Sequence, residues 1–108
     1  MGMRENLLNM LAAGQDNPLL RYTLGTDFLK DGQAGEAVVH LRRAVELDPG
    51  YSAAWKVLGK GLAATGDHPA AMAAFEQGIA VAEQRGDIQA AKEMRVFRRR
   101  SEKVLAAD

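Results

Sequence analysis

The 108-residue chain has no cysteine, a single tryptophan and no excess of either charge, with 14 basic residues against 14 acidic ones. The missing cysteine removes disulfides, thiolate chemistry and cysteine-ligated metal sites together, and it fits a reducing compartment, so the cytoplasm is the expected location. Zero net charge means no global field draws the chain to nucleic acid or lipid. No apolar run approaches the length of a membrane span, and Met1 to Gly14 is interrupted by Glu5, Asn6 and Asn9, which a signal peptide would not tolerate. Chemistry-bearing side chains are scarce as well: there are two histidines, His40 and His68, and two serines, Ser52 and Ser101. Glu36 and His40 stand at i, i+4 and could offer two metal ligands, but a site needs more, so a solvent-facing pair is expected. No glycine-rich loop is placed to cradle a phosphate. The chain is expected to be no enzyme, with no cofactor and no metal.

Hydrophobic residues make up 47% of the chain and charged residues 26%, the balance of a folded water-soluble protein. At this size one domain is expected, burying roughly 60–70% of its extended-chain surface, so every apolar stripe must contribute to the core. The even charge hides a segregation. Up to Gln84 there are seven Lys/Arg against ten Asp/Glu, and from Arg85 onward seven against four.

The strongest pattern is a recurrence. Leu24-Gly25 returns 34 residues later as Leu58-Gly59, Gly32 as Gly66, Ala37 as Ala71, and Leu41 as Phe75. A fixed period of that length, with small residues falling on small and apolar on apolar, marks a helix-turn-helix unit stacked on its own copy. The breakers agree. Asn17-Pro18 opens a helix that Gly32 closes near Asp31, and a second runs from about Gly35 to Asp48 with Ala37, Val38, Leu41, Ala44 and Val45 inward. Pro49-Gly50 forbids continuation. Ser52 is expected to cap a third helix with the stripe Trp55, Leu58, Gly59 and Leu62, in which Trp55 is a buried packing residue. After Gly66, Asp67-His68-Pro69 restarts the chain, and the fourth helix, carrying Ala71, Met72, Phe75, Ile79 and Ala82, runs to Gly86.

Two flanking helices complete the reading. Met3 to Ala13 holds Leu7, Leu8, Met10 and Leu11 at helical spacing, four large residues that need cover. From Asp87 to about Ala106 a last helix presents Ala90, Met94, Phe97, Val104 and Leu105, a stripe interrupted by Ser101; having no copy elsewhere, it suits an end cap. The expected domain is 1–108, divided into a leading helix 3–13, a first unit 18–51, a second unit 52–86 and a capping helix 87–106. Gly25 and Gly59 sit mid-helix, where glycine costs about 1 kcal/mol against alanine, so close approach of a neighbouring helix is expected at both.

With Trp55, Leu58-Gly59, Leu62, Ala71, Phe75 and Gly78 in one unit, and Leu24-Gly25, Phe28, Ala37, Leu41, Ala44 and Pro49 in the other, the chain resembles the tetratricopeptide repeat family over about Pro18 to Ala82. Arg21 stands where the copy has Trp55, which suggests that the leading helix meets the first unit's outer pocket. The resemblance implies an all-α, right-handed superhelix whose first helices line a concave groove for a partner peptide or helix. By position the groove side holds Leu19, Tyr22, Thr23, Thr26, Leu29 and Lys30, then Ala53, Lys56, Val57, Lys60 and Ala64. Tyr22, Thr26, Leu29, Lys30, Lys56, Val57 and Lys60 are the candidate partner-binding residues, and the lysines, in reach of one another, favour an acidic and apolar partner. The plainer alternative is that flanking helices cover Tyr22 and Leu29 while the lysines form a solvated face. Some relatives grip a C-terminal carboxylate with Lys, Asn and Arg; Tyr22, Thr26 and Val57 stand where that set would need Lys, Asn and Asn, so no such clamp is expected.

Arg95, Arg98, Arg99 and Arg100, with Lys103, form the sharpest charge cluster, either a docking patch for an anion or nucleic acid or a solvated face relieved by Glu93 and Glu102. The solvated face is the expectation. The function expected is protein binding as a non-catalytic adaptor, with self-association into a homo-oligomer as the alternative and nucleic acid binding third.

Overall fold

The computed structural model describes residues 2–107, among which there are six helices and no strand. They are α1 (Met3–Ala12), α2 (Pro18–Lys30), α3 (Ala34–Leu47), α4 (Ser52–Ala64), α5 (His68–Gln84) and α6 (Ile88–Ala106). Local chemistry sets these boundaries. Asn17, Asp67 and Asp87 each accept a hydrogen bond from the backbone N–H three residues on, at 2.8, 3.2 and 3.1 Å, and so satisfy donors that the first turn of a helix leaves free. Ser52 does not act in this way; it is the first residue of α4, and Tyr51 occupies the cap position without a side-chain bond. At the other end of α2, Gly32 takes φ of 75°, letting Gln33 N–H reach Phe28 O at 2.9 Å and Gly32 N–H reach Leu29 O at 3.1 Å. That paired closure needs a left-handed residue, which glycine supplies without a Cβ penalty.

α2 packs against α3, α4 against α5, and α5 against α6, with α3 on α4 joining the two pairs. α2 meets α4 and α4 meets α6, whereas α3 and α5 do not meet. The row α2, α4, α6 is therefore the tighter side of a curved slab measuring 43 × 32 × 18 Å. Its interior is bulky side chains set into small ones. A Cβ on Gly25 would collide with Leu41, and one on Gly59 with the Phe75 ring. Leu24, Leu41, Phe75 and Met94 are fully buried, each contributing roughly 1.5–3 kcal/mol of transfer free energy.

Several expectations are corrected by this packing. Trp55 is only partly buried: its Cβ covers Gly78 while its indole N–H donates to Pro49 O at 2.7 Å, a bond that holds the ring toward the rim. α1 buries no residue and packs on α2 alone; Leu7 and Leu11 find cover, but Leu8 and Met10 remain 38% exposed. What ties α1 down is charge, since Arg4 bonds Asp27 at 2.7 Å and lies 4.2 Å from the centre of the Phe28 ring. Arg21 reaches Asp16, in the α1–α2 connection, at 2.8 Å, and His40 on α3 at 3.0 Å.

Nor is His40 a surface partner of Glu36. It is 8% exposed and stacked on Phe28 at 5.5 Å, and because arginine can only donate, its Nδ1 must accept from Arg21, which fixes a neutral imidazole. Burial, reinforced by the Arg21 charge, holds its pKa below the ordinary histidine value. Ser101 likewise does not break the α6 stripe. It is 2% exposed, and its hydroxyl pairs with His68 Nδ1 at 3.0 Å, so a polar residue is buried at the cost of one hydrogen bond.

Candidate functional site

The parallel neighbours α2 and α4 leave a shallow cleft between them, about 430 Å3 in volume, lined by Thr26, Leu29 and Lys30 from one helix and Val57, Lys60 and Ala64 from the other. On each helix these positions recur at spacings of three and four, which puts them on one face. Leu29 and Val57 form the apolar floor. Val57 is less free than its sequence position suggests, being 8% exposed and part of the core, and Leu29 packs partly against that core too. Lys30 and Lys60 are exposed at the rim, and neither lies within ion-pair distance of a carboxylate among the described residues. Thr26 Oγ1 is shielded from solvent and has no hydrogen-bond partner.

The other expected groove residues lie apart from this cleft. Tyr22 packs on Tyr51 with ring centres 5.0 Å apart and the rings tilted by 35°, beside Met3 of α1, so the leading helix borders that end of the groove. Burial, with smaller contributions from Tyr22 and Asp48, raises the pKa of the Tyr51 hydroxyl. Lys56 lies toward the start of α6, 3.9 Å from Glu93. The three lysines thus differ in their partners: Lys30 and Lys60 share a cleft without a carboxylate, and Lys56 is engaged by Glu93.

The arginine cluster also divides. Arg95 bonds Glu83 at 2.6 Å, and Arg98 bonds Glu76 at 2.9 Å and Glu102 at 3.4 Å. Glu76 and Glu83 belong to α5 and relieve the cluster more than Glu93 does, a pairing invisible without knowing that α5 and α6 run side by side. Arg99 borders the same acidic cleft, and Arg100 turns away to lie 5.3 Å from the centre of the Phe97 ring. No group of three or more His, Cys, Asp or Glu among the described residues is arranged to hold a metal ion, and no helix among them is long and apolar enough to cross a membrane.

Residues 28–94 match the family model described as tetratricopeptide repeat. The chain belongs to the tetratricopeptide repeat family. A TPR repeat-containing protein of Pseudomonas aeruginosa is 54% identical over 98 residues, covering 91% of this chain and 93% of that relative. The solution structure of a protein from Bordetella parapertussis is 46% identical, spans 100% of this chain and 94% of its own, and superimposes with a TM-score of 0.83. A tetratricopeptide repeat domain protein of Salinibacter ruber, seen in a crystal structure, is 28% identical over 82% of this chain and 99% of that one, with a TM-score of 0.74. Tetratricopeptide repeat proteins are in general non-catalytic modules for protein–protein interaction. In this member, sequence reasoning missed Phe97, Arg100 and Val104 as neighbours of Lys60; their stripe on α6 was legible, but their meeting with α4 depends on how far α6 runs.

Proposed function

We propose that this tetratricopeptide repeat protein is a non-catalytic adaptor, working in the cytoplasm, that holds an acidic and apolar peptide or helix of a partner protein in the cleft between α2 and α4. The reading treats 18–51 and 52–86 as two repeats, with 3–13 leading and 87–106 closing the array. One observation carries it. Leu29 and Val57 lie between two cations, Lys30 and Lys60, in a cleft whose lining holds no carboxylate. An apolar side chain entering there leaves water, and an adjacent carboxylate gains two uncompensated charges; the charges set orientation and encounter rate more than affinity. Tyr22 and Thr26 extend the surface toward α1, and Lys56 contributes less because Glu93 already engages it.

The test is affinity capture on the wild-type chain and on Lys30→Glu/Lys60→Glu. A protein retained by the wild type should be lost from the variant while the thermal midpoint stays within about 2 °C, since exposed charges contribute little to stability. Equal retention by both chains would remove the cleft from the binding surface.

Self-association is the second reading, favoured by the exposure of Ile88 at 65% and Val96 at 46% on α6. Light scattering that shows a monomer at micromolar concentration removes it.

A further inference from the structure

Lys60 lines a second cleft as well. On its other side α4 faces α6, and Ala63, Phe75, Phe97 and Val104 wall an apolar recess of about 230 Å3 with Lys60 and Arg100 at its edge. The recess exists because α6 is long. The 34-residue register places the copy of Ala64, where α4 ends, at Arg98, yet α6 continues to Ala106, about two turns further. Those added turns carry Arg100, Ser101 and Val104 past the end of α4. Ser101 anchors the overrun by its buried bond to His68 at the start of α5, which also uses up the polar groups in the back wall.

The recess brings two cations together and holds no carboxylate in its lining. Lys60 Nζ and the Arg100 guanidinium each lie 5.3 Å from the centre of the Phe97 ring, two like charges at one aromatic ring. Neither has a carboxylate within ion-pair distance among the described residues, although Arg95, Arg98 and Lys56 on the same pair of helices all do. The clefts beside those three cations include Glu76 and Glu102, or Asp87 and Glu93, in their linings; the two clefts that share Lys60 include no carboxylate. The recess is also smaller than the roughly 300–1,000 Å3 of small-molecule sites, a size that suits one apolar side chain.

We propose that the two clefts form one bipartite docking surface, and that its occupant is a single partner segment with apolar side chains on both sides of an acidic residue. One apolar side chain enters beside Leu29 and Val57, the other beside Phe97 and Val104, and the carboxylate between them rests on Lys60 and Arg100, relieving the repulsion between those cations. The proposal rests on the function proposed above and adds to it the register and charge order of the partner.

Selection of a random phage-displayed peptide library on the full chain tests it, with parallel selections on Leu29→Glu and on Val104→Asp/Arg100→Glu. Melting curves of both variants confirm folding; Val104 and Arg100 are exposed, and Leu29 is only partly buried. The wild type should enrich peptides with an acidic residue flanked on both sides by apolar ones, and each variant should lose the apolar preference on one side. The best wild-type peptide should weaken about tenfold on either variant, the loss expected from one apolar side chain. If Val104→Asp/Arg100→Glu selects and binds as the wild type does while Leu29→Glu fails, the second pocket is refuted and the first cleft stands. The opposite pattern refutes the first cleft and leaves this one. Failure of the wild type to enrich an acidic-apolar pattern overturns both, and a dimer that Val104→Asp/Arg100→Glu dissociates would assign the recess to a second copy of the chain.

Discussion

The two helical pairs share a register but solve the same packing problem with opposite chemistry. In the second pair, Trp55 on α4 faces Gly78 on α5, and Met94 of α6 presses its sulfur into the space that a Cβ on Gly78 would need, so the joint is apolar. In the first pair the same places hold Arg21 on α2, and Ala44 with His40 on α3; the joint is a polar chain running Asp16, Arg21, His40, with Phe28 and Arg4 stacked beyond it. The second pair has a neighbour on its far side in α6, so an apolar joint there stays dry. The first pair lies beneath α1, none of whose own residues is buried, so its outer layer must tolerate water. Repeat symmetry is thus kept where units stack and given up where stacking stops.

The shared part should be the costliest to disturb. Leu41→Ala and Phe75→Ala each empty the slot in front of a mid-helix glycine and should lose about 2–5 and 3–5 kcal/mol respectively in urea unfolding, the upper ends applying because neither slot can collapse. A loss below about 1 kcal/mol at Leu41 would break the equivalence of the two pairs.

The divergent positions should then separate. Trp55→Ala removes a partly buried ring and should cost about 2 kcal/mol, less than burial of the whole indole would imply. Arg21→Ala should cost about 1 kcal/mol, through the loss of hydrogen bonds to Asp16 and His40. If Arg21→Ala were the more damaging of the two, the polar joint would be the stronger one and the comparison would invert.

The smallest effect is a pH dependence confined to the first pair. His40 is held neutral by burial and by the facing Arg21 charge, against weaker opposing contributions from Glu36 and Asp16. Its folded pKa therefore lies below the unfolded value of about 6.5. On acidification the unfolded chain takes up the proton first, so the stabilisation is complete above that pH and is lost as pH falls through it toward the folded value. Melting curves between about pH 7.5 and pH 5.5 should show a decline that is absent from His40→Gln. Asp16, depressed by its bond to Arg21, contributes only at more acidic pH.

What the sequence made legible follows from which interactions are local. Helix ends at Asn17, Gly32, Asp67 and Asp87, and the glycine contacts at Gly25 and Gly59, follow from caps, φ preferences and a period, all readable along one chain. Burial of His40 and Ser101 was not legible, because each polar side chain is satisfied by one residue, Arg21 or His68, distant in sequence. The same holds for the candidate site. Thr26, Leu29, Lys30, Val57 and Lys60 could be set on one face by register, whereas the pairing of Lys56 with Glu93 was not legible because it depends on where α6 lies. α6 itself lacks a copy, so nothing in the repeat foretold how far it would overrun α4.

The central claim is that binding gathers around Lys60, and residue-resolved amide NMR tests it most directly. With the acidic-apolar peptide enriched by the wild-type chain, the largest shifts should fall on Thr26, Leu29, Val57, Lys60 and Ala64 and continue onto Phe97, Arg100 and Val104, and they should vanish in Lys60→Glu. Shifts confined to α1, or to the Arg95–Arg99 side of α6, and unchanged in Lys60→Glu, would contradict it.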